Sequence, residues 1–265
     1  MTQPFKHYQV ATNGITLHMV ETGVGQPVLF YHGFPDTWRT WRQQMVAVAA
    51  AGYRAIAVDI RSFGRSSAPA EASLYTPFPT VGDLVEVFAH RGLADVVLVG
   101  HDFGAFIAWN AALLRPDLFT AVFGISVPYM PYGESSFLDR LNAAGKTDFY
   151  MFDQLQPAAD VAYTVAEFER TGFHGGLNHC QAIQLGFYLS GAFAGAVIRQ
   201  PSFFLVDQAD SVNELHRATT PELRQSLPSL MGYVELDGVG HWVQQEALAA
   251  TNAALLGFLK QVSAQ

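Results

Sequence analysis

Five consecutive residues, Gly100-His101-Asp102-Phe103-Gly104, place a carboxylate at the centre of a glycine-flanked turn between an apolar run and a helical pattern. Small-x-nucleophile-x-small is the spacing of a nucleophile elbow. The sharp turn crowds the positions two before and two after its centre, and it projects the central side chain outward. A carboxylate so exposed can attack a saturated carbon and form an alkyl-enzyme ester, which divides one hard displacement into two easier steps. Its attack on an ester or amide would give a reactive anhydride, so those substrates fit poorly. Gly-x-Asp-x-Gly also occurs as an ordinary turn, so the meaning of Asp102 depends on what lies nearby.

Three other segments supply groups that would complete such chemistry. His32-Gly33-Phe34-Pro35 follows the apolar run Pro27–Tyr31. A glycine turn there presents the Phe34 N–H beside the Phe103 N–H as a two-donor oxyanion hole. Near the C-terminus, Gly238-Val239-Gly240-His241-Trp242 separates a strand pattern from a helix pattern, and His241 is the base that would activate water against an ester on Asp102. Asp207-Gln208-Ala209-Asp210 offers the carboxylate that orients His241. Asp210 is preferred because it lies past the end of its strand, whereas Asp207 terminates it; Asp237 is a weaker rival. The polar loop from Asp59 through Arg61 to Ser66 reads as structural. The order along the chain, nucleophile then acid then histidine, is that of an α/β-hydrolase.

These groups need a scaffold that brings strand ends together, and the pattern of apolar runs provides one. His7–Thr12 and Ile15–Thr22 are strand-like and meet at Asn13-Gly14, a two-residue hairpin signal. Strand patterns at Pro27–Tyr31, Tyr53–Asp59, Val96–Gly100 and Phe119–Val127 then alternate with helix patterns at Trp38–Ala51, Val81–Arg91 and Phe103–Leu114. Between about Pro128 and Gln200 the strand signal disappears and helical spacing rich in Phe, Tyr, Ala and Gly replaces it. Strand patterns return at Pro201–Val206 and Leu230–Leu236, and a last helix is expected over Trp242–Lys260. The expected fold is α/β, a mostly parallel central sheet with helices on both faces. Residues 1–128 and 200–265 would form the core, with residues 129–199 inserted as a helical cap. Reactive groups in such sheets gather at the carboxyl ends of the strands.

Composition narrows the classes of function. With 50% hydrophobic and 14% charged residues, the chain has ample material for a buried core and is not a disordered segment. A net charge of −8 disfavours nucleic acid and anionic membrane as partners. The one cysteine, Cys180, allows no internal disulfide. Met1-Thr2-Gln3-Pro4 carries no apolar leader, and no stretch is long enough to span a bilayer. A cytoplasmic protein, monomer or homodimer, is expected. No Cys/His cluster suggests a metal, and the chemistry outlined needs no cofactor.

His32-Gly33-Phe34-Pro35-Asp36, the Asp59–Ser66 loop, Gly100 through Ala105, and Gly240-His241-Trp242 together resemble the epoxide hydrolases of the α/β-hydrolase fold, in this order and over nearly the whole chain. Gly172-Phe173-His174-Gly175-Gly176-Leu177-Asn178 is similar to the family's signature before the second of its two ring-opening tyrosines. The resemblance implies opening of an epoxide to a vicinal diol through an ester on Asp102. It also implies a cap acid that protonates the departing oxygen. Tyr150, seven residues before Pro157, matches the first cap tyrosine. The second place holds Cys180, a weak donor. Either Tyr150 acts alone, or His179 is a second donor, or the activity has drifted. Otherwise Cys180 reads as a small buried hydrophobe. Phe149, Phe152, Phe187 and Tyr188 are candidates to line a pocket for a small apolar or aromatic epoxide. A haloalkane dehalogenase is the nearest alternative, but Phe34 and Phe103 stand where halide-binding N–H side chains belong. A non-catalytic binding protein on the same fold is the other.

Overall fold

The computed structural model describes residues 4–133, 135–136, 139–140, 143, 158–207 and 220–264. Eight strands form one sheet: β1 (Lys6–Thr12), β2 (Ile15–Gly23), β3 (Pro27–Tyr31), β4 (Arg54–Val58), β5 (Val96–His101), β6 (Phe119–Ile125), β7 (Ser202–Asp207) and β8 (Leu230–Leu236). Their spatial order is β1-β2-β4-β3-β5-β6-β7-β8. The first two strands pair antiparallel through the two-residue turn, with Asn13 and Gly14 both at positive φ. From β4 to β8 all pairings are parallel.

The central strands are buried on both faces, which is why they read as unbroken apolar runs rather than as alternating ones. Alternate residues nevertheless go to different cores. Val96 and Leu98 of β5 join the layer beneath α2 (Pro77–Arg91) and α3 (Phe103–Leu114). Val97 and Val99 join the layer beneath α1 (Arg42–Ala50) and the C-terminal helix. Leu29 and Tyr31 against Val28 and Phe30 divide in the same way, as the two-residue period of a strand requires.

The helices largely follow their local signals. Gly92, at φ 60, ends α2 in the left-handed conformation, and α3 stops at Arg115, the residue before Pro116. Two details differ from expectation. Helix α2 starts four residues earlier than the pattern suggests, because Pro77 occupies the first turn, where its missing N–H costs nothing. The last helical stretch is two helices. A short one, Val243–Glu246, is separated from Leu248–Val262 by Ala247 at φ −112, ψ 47.

Between β6 and β7 the chain contributes α4 (Ala158–Thr171) and α5 (His174–Leu189). The start of α5 sits directly on the loop after β4. A Cβ at Gly175 would lie 2.3 Å from the Ser62 side chain, so only glycine permits this approach. Asn178 Nδ2 donates to the Ala70 carbonyl at 3.3 Å, and an Arg170 guanidinium N–H donates to the Gly64 carbonyl. After β7, the structure adds Thr220–Ser226 as α6, which no sequence signal marked. The short Val243–Glu246 helix is α7 and Leu248–Val262 is α8.

Candidate active site

Asp102 follows β5 directly and caps α3 with φ 54 and ψ −123, a conformation that L-residues rarely adopt and that costs about 1–3 kcal/mol. The two flanking glycines make the turn possible. A Cβ at Gly104 would lie 2.0 Å from the Tyr31 carbonyl oxygen, and one at Gly100 would lie 2.4 Å from the Gly104 carbonyl oxygen. Sheet order then decides the neighbour. Because β3 pairs with β5, with Tyr31 opposite Gly100, the loop after β3 lies beside the elbow. Its Phe34 N–H donates to Asp102 Oδ1 at 2.9 Å. The Phe103 N–H supports the same carboxylate.

Burial alone pushes the Asp102 carboxyl up, but His241, the charge of His101 and the Phe103 N–H outweigh it, so its pKa falls below the ordinary carboxylate value. The group is 4% exposed, yet it is held as an anion at the start of a helix, where free backbone N–H groups favour negative charge. His241 Nε2 stands 3.6 Å from Asp102 Oδ2, an ion-pair distance rather than a hydrogen bond.

The backbone around His241 is held at several points. Its carbonyl accepts from His101 Nε2–H at 2.9 Å and from the Ser126 hydroxyl at 3.1 Å. Glu246 accepts from the N–H groups on either side, Gly240 at 2.6 Å and Trp242 at 3.2 Å. The Trp242 indole donates to Asp36 Oδ2 at 3.0 Å. Asp36 is buried, and burial pushes its pKa to about 7 with help from the Asp102 charge, against the hydrogen bonds of Trp242 and Thr40 and the charge of His241. It is a site residue to which sequence reasoning assigned no role, although it sits in the His32–Asp36 motif. His32 holds that turn, accepting the Ile60 N–H at Nε2 (3.1 Å) and donating from Nδ1 to the Gly33 carbonyl (2.8 Å).

The structure therefore brings Asp102, His241, Phe34 and Phe103 together. Tyr150 and Asp210 lie outside the described residues, as do Phe149 and Phe152, and the Asp207 side chain is not described. Asp237 is exposed, whereas His241 is buried. The loop after β4 is structural as expected. Asp59 accepts from Trp38 N–H, His18 Nδ1–H and Arg65 N–H. Arg61 makes a two-pronged pair with buried Asp83 at 2.8 and 2.7 Å.

Two expectations need correction. His179 is not placed to donate a proton. Its Nε2 lies 3.2 Å from the Arg61 carbonyl, an acceptor only, so the ring's one proton is already committed there. Burial, with the nearby Arg61 and His32, lowers its pKa to about 4, and its ring is packed against Phe63, Tyr75 and Phe103. Tyr188 is 66% exposed and turned to solvent, whereas Phe187 stacks on Tyr132 at 4.6 Å. Cys180 is partly buried, and burial together with the Asp102 charge pushes its thiol to about 11. Among the described residues no cluster of His, Cys, Asp or Glu could hold a metal, and no helix is long and apolar enough to cross a membrane.

Eight strands in this order, with a carboxylate on the elbow after β5 and a histidine after β8, define an α/β-hydrolase. Residues 26–162 match the family described as the alpha/beta hydrolase fold. An epoxide hydrolase of Caballeronia sordidicola is 47% identical over all of this chain and 96% of its own length. Crystal structures of epoxide hydrolases from Vigna radiata (TM-score 0.90, 30% identity) and Mycobacterium thermoresistibile (TM-score 0.89, 32% identity) each cover 97% of this chain and are themselves covered to 98%. The chain belongs to the α/β-hydrolase family and groups with its epoxide hydrolases.

Proposed function

We propose that this protein opens epoxides to vicinal diols through a covalent ester on Asp102. The observation that carries the reading is the asymmetric setting of the Asp102 carboxylate. Oδ1 accepts the Phe34 N–H at 2.9 Å, while Oδ2 faces His241. Oδ2 is then the attacking oxygen. It bonds to an oxirane carbon as that carbon's C–O bond breaks, and the freed oxygen takes a proton from Tyr150 in the cap formed by residues 129–199. Oδ1 becomes the ester carbonyl oxygen, already seated between the two amides.

In the second half-reaction His241 Nε2 removes a proton from water, and the hydroxide attacks the ester carbonyl carbon. The Phe34 and Phe103 N–H groups stabilise the tetrahedral oxyanion. Collapse expels the diol oxygen, which takes a proton from the imidazolium, and the proton left on the regenerated Asp102 carboxyl returns through solvent to the Tyr150 phenolate. Asp210, past β7, is the carboxylate assigned to steady His241. With His179 committed to Arg61, Tyr150 is the single strong donor, and Cys180 occupies the place of a second.

The test is intact-mass measurement of His241→Gln after incubation with a panel of epoxides and alkyl halides. Without the base the ester persists. An epoxide adds its whole mass, and a halide adds its mass less that of the hydrogen halide. An epoxide-sized adduct that vanishes in the Asp102→Ala double variant is the expected result. A folded protein that gains no adduct from any member would overturn the reading.

A further inference from the structure

One crevice is walled by two helices and begins at Phe106, one helical turn beyond Asp102. On α3, Phe106 and Asn110 follow Asp102 at successive turns, and on α5, Ile183 and Phe187 follow Cys180. With Tyr129 and Tyr132 they line the crevice, which opens to solvent at its mouth. At 1.5 Å per residue, the α3 wall from Phe106 to Leu113 is about 10 Å long.

One lining residue does not suit an apolar channel. Arg140 is the single cation on the crevice wall among the described residues, and no described carboxylate lines it. Its guanidinium is half-buried and donates from Nη2 to Met130 Sδ at 3.3 Å, a weak acceptor. Its buried Nε meets no acceptor among the described residues. Asp139, next in the chain, is turned elsewhere, its Oδ2 accepting from the Ser136 N–H at 2.9 Å and the Ser136 hydroxyl at 2.7 Å. A partly desolvated guanidinium that meets so few acceptors among the described residues is costly unless an anion completes it, and its planar fork suits a carboxylate. The chain's net charge of −8 repels anions in general, so selection of one here has to come from a local group.

We propose that Arg140 is an anion anchor, and that the substrates are aryl epoxides bearing a carboxylate that pairs with Arg140 while the oxirane lies at Asp102. The proposal rests on the epoxide reading above, which supplies the chemistry, and adds the class of molecule that receives it. Aromatic walls would hold the body of such a substrate, and the single charge at the wall would set its orientation.

The probes are 3-[4-(oxiran-2-yl)phenyl]propanoate and its neutral primary amide. The readout is the ratio of kcat/KM for acid over amide, which cancels any loss of folded enzyme. The expected ratio is tenfold or more for the wild type, close to one for Arg140→Met and intermediate for Arg140→Lys. An unchanged ratio in Arg140→Met overturns the anchor. Calorimetric binding of 3-phenylpropanoate reads the same contact without chemistry, and Arg140→Met is expected to weaken it at least tenfold. Turnover of both probes without preference for the acid leaves the epoxide reading standing and refutes the anchor. Arg140-dependent binding of 3-phenylpropanoate with no epoxide turned over refutes the substrate assignment and the epoxide reading together.

Discussion

Asp36→Asn removes a titratable group from beside the Asp102–His241 pair while keeping the side chain's shape. The Trp242 indole N–H, 3.0 Å from Asp36 Oδ2, would find an amide oxygen in place of the carboxylate. Asp36 titrates at about 7 in the fold against an ordinary value of 3.8. Between those values the folded protein holds a proton that the unfolded chain has released, so wild-type stability falls as pH rises through this window. Below the lower value and above the upper one, this group contributes no slope. At 1.36 kcal/mol per pH unit, the wild type loses about 2–3 kcal/mol between pH 5 and pH 8 on account of Asp36 alone. The variant lacks that loss, while the other ionisable groups are common to both proteins. Urea unfolding at pH 5, 6, 7 and 8 measures the difference. The variant should gain on the wild type by about 2–3 kcal/mol across the series, with most of the gain below pH 7. Parallel curves for the two proteins would refute the placement of Asp36 as a buried, proton-holding carboxyl.

Other perturbations test other parts of the site. Gly104→Ala drives a methyl group to 2.0 Å from the Tyr31 carbonyl of a strand paired on both sides; the expected cost is about 3 kcal/mol or more, and a thermal melt within a few degrees of wild type would contradict the elbow geometry. Tyr150→Phe removes the proposed acid, and general acids contribute about 10²–10⁴-fold; a single-turnover rate of Asp102 alkylation reduced less than tenfold would mean that another donor opens the ring. Cys180, with its thiol near 11 instead of the ordinary 9.0, holds about 100-fold less thiolate than a free cysteine near neutral pH. Its alkylation by iodoacetamide, followed by mass, should be slower by that factor, and labelling at the free-thiol rate would contradict the burial of Cys180.

The features legible in the chain are those that local physics writes there. Val96–Val99 is apolar at every position because both faces of β5 are covered, and its glycine-flanked turn needs small residues wherever it occurs. Asn13-Gly14 specifies a hairpin turn through its own backbone preferences. Helix α3 carries its own stop signal in Pro116. The elbow, the loop holding His241 and the turn holding Phe34 could therefore each be found in isolation, and resemblance to a family put them in one site. Where local signals were weak, the reading failed for local reasons. Helix α6 has seven residues, too few to show a period, and Pro77 reads as a breaker unless the first turn of a helix is known to begin there.

What the tertiary structure decided depends on partners far away in sequence. The placement of β3 between β4 and β5 brings the Phe34 N–H to Asp102 and distinguishes Oδ1 from Oδ2. Packing against the Arg61 carbonyl turns His179 from a candidate donor into a fixed structural ring, a change invisible in the residue type because imidazole can donate, accept or do both. Burial gives Asp36 its raised proton affinity, against the opposing hydrogen bond from Trp242. Phe187 and Tyr188 are adjacent and chemically alike, yet the 100° turn per residue of a helix sends one into the crevice and the other to solvent. Residue type sets what a side chain can do, and the environment that the fold assembles around it selects which of those capacities is used.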